Sequence, residues 1–215
     1  MFLSSCEKQT GIASDASSRS AEKIRVACVG DSITFGEGIK DRQKDSYPAQ
    51  LGALLGEGWD VRNFGVNSVT VVKSDYPYYK TQAYVDTLAF LPQVVLIHLG
   101  TNDALPYNWR KKDDFIKDYR SLIKSFRKLA SKPRIVLCMP VPAYRGGGDA
   151  DPMIQNEIIP CIQAIAQKMG LAVVDLNSVF LGKTDLFNEV HPNERGAKLM
   201  AETIYTALIA DKVKQ

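Results

Sequence analysis

Val94-Val95-Leu96-Ile97-His98-Leu99 is apolar at every position but one, with β-branched side chains at Val94, Val95 and Ile97. A strand with one wet face alternates polar and apolar residues, whereas a run apolar throughout suits a strand covered on both faces. Four further runs flank it. Ile24-Arg25-Val26-Ala27-Cys28-Val29 and Trp59-Asp60-Val61-Arg62-Asn63-Phe64 precede it, while Arg134-Ile135-Val136-Leu137-Cys138-Met139 and Leu171-Ala172-Val173-Val174-Asp175-Leu176 follow. Between and beyond them the apolar period lengthens. Phe115, Tyr119, Leu122, Ile123, Phe126 and Leu129 form one stripe at helical spacing. Ile158, Ile162, Ile165, Ala166 and Met169 form another, which Gly170 closes. Pro160 must occupy the first turn of that helix or kink it. Leu199, Met200, Ile204, Tyr205 and Leu208 mark a final helix. Strand–helix alternation with right-handed crossovers predicts an α/β fold, a five-stranded parallel sheet sandwiched by helices. In open sheets of this kind ligands bind outside the carboxyl ends of the strands, so the loops that follow the strands are where chemistry is sought.

The bulk numbers narrow the function classes. A chain of 215 residues buries about 70% of the surface exposed by its unfolded form, so one core needs no staple. The division expected is a polar tether over 1–21 and a single domain over 22–215. Lys and Arg (27) nearly balance Asp and Glu (24), and no basic stripe with interleaved aromatics occurs, which argues against a nucleic-acid partner. No apolar run reaches the length of a membrane span. Cys6, Cys28, Cys138 and Cys161 lie far apart without metal-ligand spacing, and only two histidines are present. Free thiols, no metal and no cofactor are the expectation. Leu3-Ser4-Ser5-Cys6 resembles the lipobox of bacterial lipoproteins. It implies a periplasmic or outer-membrane lipoprotein anchored through Cys6, whereas a chance match would leave the protein cytoplasmic.

Four blocks stand at strand ends or ahead of the last helix. Gly30-Asp31-Ser32-Ile33-Thr34 follows the first strand, Asn63-Phe64-Gly65-Val66-Asn67 ends the second, Gly100-Thr101-Asn102-Asp103 follows the third, and His191-Pro192-Asn193 precedes the last helix. A serine at a strand-to-helix turn after glycine presents its hydroxyl at the crevice beside unpaired N–H groups. His98, inside the apolar third strand, reads as a buried, hydrogen-bonded histidine. Asp103 and Asp31 read as braces for their turns.

Together these blocks resemble those of the SGNH (GDSL-like) hydrolase family, over about residues 24–210. The resemblance implies a three-layer α/β/α sandwich, flavodoxin-like in its sheet, and a serine esterase. Ser32 would be the nucleophile and His191 its base, with the N–H groups of Ser32 and Gly65 and the side-chain amide of Asn102 forming an oxyanion hole. One position departs from the family pattern. The aspartate usual three residues before the histidine is replaced by Asn188, which could still accept the imidazole proton but carries no charge. Asp185 and Glu189 are the neighbouring carboxylates.

The loops expected to roof the crevice carry aromatics and cations: Tyr76-Pro77-Tyr78-Tyr79-Lys80, Pro106-Tyr107-Asn108-Trp109-Arg110 and Tyr144-Arg145-Gly146-Gly147-Gly148. Such loops suit sugar rings, and Lys80, Arg110 or Arg145 could meet a substrate carboxylate. The alternative is aromatics packing the loops onto the body. Asp31, Tyr79, Lys80, Trp109, Arg110 and Tyr144 are the candidate substrate contacts. Lys40-Asp41-Arg42 and the loop 102–110 are similar to bacterial sialate O-acetylesterase-like carbohydrate esterases. Removal of small acyl groups, O-acetyl above all, from a carbohydrate ester is the implied activity. A lipid-directed esterase or thioesterase using the same pair, and an attenuated carbohydrate-binding relative, are the alternatives.

Overall fold

The computed structural model describes residues 22–73, 76–144 and 151–212. The Cys6 motif, the tether over 1–21 and the segment 145–150 with Arg145 lie outside them. Five strands form one sheet, β1 (Ile24–Gly30), β2 (Trp59–Gly65), β3 (Val94–His98), β4 (Arg134–Cys138) and β5 (Ala172–Val174). Their order is β2-β1-β3-β4-β5 and every neighbouring pair is parallel. After β1 come α1 (Ser32–Phe35), α2 (Arg42–Asp45) and α3 (Tyr47–Leu55). Helices α4 (Gln82–Phe90), α5 (Lys112–Arg127) and α6 (Ile159–Met169) supply the later crossovers. The chain ends with α7 (Leu176–Phe180), a two-stranded ribbon of β6 (Phe187–Asn188) and β7 (His191–Pro192), and α8 (Glu194–Lys212).

Alternation across the central strands explains why they are apolar throughout. Ala27, Val29, Val95, Ile97, Ile135 and Leu137 enter one core with Phe115, Tyr119 and Phe126 of α5 and Ile162 and Ile165 of α6. Val26, Cys28, Leu96, Val136 and Cys138 enter a second core with Tyr47 and Leu51 of α3 and Met200 and Ile204 of α8. Each strand therefore feeds two cores, and a polar residue on either face would be stranded without water. Cys28, Cys138 and Cys161 are buried free thiols.

Two boundaries differ from the pattern. The last strand stops at Val174 because the Asp175 carboxylate accepts the Ser178 N–H at 2.9 Å and starts α7. Pro160 lies in the first turn of α6, and the preceding residues Ile154–Ile158 form a π-turn. Proline has no N–H and crowds the carbonyl four residues back, so the wider turn relieves it. Among the described residues no helix is long and apolar enough to cross a membrane.

Candidate active site

The register sets the stage. Gly30 pairs with Gly65 on one side and His98 on the other, so three strands end level and their following loops meet. A Cβ on Gly30 would lie 2.0 Å from Thr34 Oγ1, so glycine is what lets α1 turn directly over the strand end. Ser32 opens that helix. Asp31 caps it, Oδ1 accepting the Ile33 N–H at 3.0 Å, and burial pushes the Asp31 carboxyl up to about 7. As a first-turn residue Ser32 has no intrahelical acceptor for its own N–H.

His191 reaches the same place from the far end of the chain. In the β6–β7 ribbon Asn188 stands opposite His191. Just beyond, Asn193 Oδ1 accepts the Arg195 and Gly196 N–H groups at 3.1 Å, and its Nδ2 donates to the Asp185 carbonyl at 2.9 Å. These bonds tie the ribbon to the start of α8. The imidazole Nε2 lies 2.9 Å from Ser32 Oγ, a contact between residues 159 apart in sequence. Around it is a crevice of about 300 Å³. Ser32, Ile33, Glu37, Asn67, Ser68, Thr101, Asn102, Val190 and His191 line it.

The loops after β2 and β3 are cross-tied. Asn102 Nδ2 donates to the Val69 carbonyl at 3.0 Å, which leaves its second amide hydrogen for a ligand. Asp103 accepts the Val71 and Val72 N–H groups, the latter at 2.9 Å, and burial pushes its carboxyl up to about 6. His98 is wholly buried, takes the Val141 N–H on Nε2 at 3.4 Å, and is driven down to about 4 by burial. It is neutral and belongs to the core.

Serine, histidine and a strand-end asparagine thus share one crevice, and the model of the GDSL-like lipase/acylhydrolase family matches residues 28–199. The chain belongs to this family. It is 43% identical to an acetylxylan esterase of Xylanibacter ruminicola, over 87% of this chain and 43% of that protein. It spans less than half the length of the curated relatives it matches. Among solved structures, an inhibitor-bound aryl esterase of M. smegmatis superposes with a TM-score of 0.71 at 19% identity, covering 86% of this chain and 98% of that one. A carbohydrate acetylesterase from Sinorhizobium meliloti does so with a TM-score of 0.66 at 17% identity, covering 87% and 99%.

For this family member the structure redistributes several candidate residues. Gly65 is not at the crevice. Its N–H donates to Asn63 Oδ1 at 2.9 Å, and a Cβ there would lie 2.1 Å from Phe35 N, so it is a packing glycine beneath α1. The residue at the crevice is Ser68, whose φ of 63° places it in the left-handed region and whose N–H has no acceptor among the described residues. A non-glycine residue held there marks stored strain of the kind found at functional sites. Nothing in the letter Ser68 signals that conformation. Asn188 is exposed, and its side chain makes no hydrogen bond among the described residues.

The six substrate candidates all lie off the crevice lining. Asp31 is wholly buried as a cap. Tyr144 is buried, its hydroxyl donating to the Phe180 carbonyl and accepting the Gly182 N–H, both at 2.9 Å. Trp109 packs its ring 6.1 Å from Phe115. Tyr79 lines a separate groove beneath Lys73, while Lys80 and Arg110 are exposed elsewhere. Aromatic rings gain more from burial against the body than from waiting for a ligand. Glu37 and Asn67, which do line the crevice, were hidden because a local turn brings Glu37 back toward Ser32.

Proposed function

We propose that the chain is a carboxylic ester hydrolase that removes small acyl groups, chiefly acetyl, from carbohydrates. Ser32 is the nucleophile and His191 the base. The carrying observation is the 2.9 Å contact between Ser32 Oγ and His191 Nε2 at the mouth of a crevice. Nε2 takes the hydroxyl proton as Oγ attacks the ester carbonyl carbon, and the carbonyl electrons move onto oxygen. The N–H groups of Ser32 and Ser68 and the Asn102 amide meet that oxyanion. Collapse expels the sugar alkoxide, which takes the proton from His191. Water then attacks the acyl-serine by the same steps in reverse.

A polar crevice of about 300 Å³ suits a short acyl chain. The named activities of the Xylanibacter relative and the Sinorhizobium structure favour a sugar ester. Asn188 in place of a carboxylate supports the second reading, a binder with a silent site. A fluorophosphonate separates the two, since an adduct on Ser32 by mass spectrometry is expected and an unlabelled Ser32 overturns the hydrolase. A chain-length series of 4-nitrophenyl esters, run with acetylated sugars, is expected to favour acetate. Preference for long acyl chains overturns the sugar-acetyl assignment.

A further inference from the structure

We propose that Glu37, held by Asn67, meets the substrate in this crevice and selects the ester of a neutral, hydroxyl-rich alcohol over that of an acidic sugar. The inference rests on the esterase reading above. Glu37 is fixed relative to the nucleophile, because its N–H donates to the Ser32 carbonyl at 2.9 Å. Its carboxylate lines the same crevice as Ser32 and His191. Asn67, on the loop after β2, donates from Nδ2 to Glu37 Oε2 at 2.5 Å, which holds the carboxylate in place across 30 residues of sequence. Asn67 Oδ1 is buried without a hydrogen-bond partner among the described residues. That oxygen presents essentially no surface to the crevice, so the acceptor the pair offers a ligand is the Glu37 carboxylate.

The chemistry of this pair is one-sided. A carboxylate only accepts, at roughly four lone-pair positions, of which Asn67 occupies one. The others suit hydroxyl donors in charge-assisted bonds, the strong kind. Against an anionic leaving group the same carboxylate is repulsive. Among the described residues no Lys or Arg lines the crevice, and Lys80 and Arg110 lie elsewhere. Selectivity then comes from attraction to one class and repulsion of the other.

The test compares kcat/KM for two matched substrates, an O-acetylated methyl glucoside and an O-acetylated methyl glucuronoside, with 4-nitrophenyl acetate as the activity standard. The wild-type chain is expected to prefer the glucoside by at least about tenfold, and Glu37→Gln to shrink that ratio by about tenfold, the scale of one partly screened charge pair. Raising the ionic strength is expected to shrink the wild-type ratio too. This second measurement needs no variant to fold. An unchanged ratio in Glu37→Gln, or a wild-type ratio insensitive to salt, overturns the subsite while active turnover of 4-nitrophenyl acetate keeps the esterase reading. Absence of hydrolysis of all three esters overturns both.

Discussion

The loops at the strand ends and the aromatic loops beside them both looked functional, yet their side chains take different courses. The first group turns polar atoms toward a shared crevice and cross-ties them, through Asn102 to Val69, Asp103 to Val71 and Val72, and Asn67 to Glu37. The second buries part of its rings against the body, as Trp109 on Phe115 and Tyr144 on Phe187 show, while Tyr76 and Tyr107 stay exposed. The difference is one of address. A polar side chain at the carboxyl end of a parallel strand has few places to go except the crevice, and its neighbours satisfy it there. An aromatic ring next to a core has a competing destination, and burial of its large apolar area decides.

The two histidines repeat the lesson. His98 ends β3 inside the cores and is held neutral by burial, whereas the half-exposed His191 in a surface ribbon meets a hydroxyl.

The sharpest break between the two regions is expected from single truncations on each side. Ser32→Ala should lower kcat/KM for 4-nitrophenyl acetate on the order of 10⁴-fold or more with an unchanged melting temperature. Trp109→Ala should do the reverse, leaving turnover within about twofold while costing about 1–3 kcal/mol of stability by denaturant titration. A large activity loss in Trp109→Ala would return the aromatic loops to the substrate. Next in size, Asn102→Ala should cost about 10²–10³ in kcat, the usual effect of removing one oxyanion donor. If kcat and KM both hold, Asn102 serves only to tether Val69.

Asn188→Asp should raise kcat/KM by about tenfold, because a carboxylate opposite His191 stabilises the imidazolium formed during attack. Steady-state rates that do not change would mean that position 188 does not act on the imidazole. The last effect concerns stability alone. Asp31 holds its proton more tightly folded than unfolded, so its contribution is present at low pH and lost as pH rises through about 7. The stability of Asp31→Asn relative to wild type should therefore climb between pH 4 and pH 7, read from denaturant midpoints. A flat difference would show that burial does not govern this carboxyl.

Periodicity and composition are properties of neighbouring residues, which is why the strands, three of the helices and the parallel sheet could be read from the letters. Helices α3 and α4 escaped, since Pro48 and Gly52 interrupt one stripe and Thr87 is the one buried residue of the other. Ser32, Asn102 and His191 were visible because a strand end or a helix start gives them a position in the fold. Direction and distance needed the whole chain. Gly65 packs beneath α1, which crosses within van der Waals reach of it, while Ser68 lines the crevice, and a serine's positive φ has no signature in sequence. The contact between residues 32 and 191 likewise depends on how α8 and its ribbon pack against α3 and α1. Local letters decide what a segment becomes, while what it touches is settled by competition for burial among segments far apart in the chain.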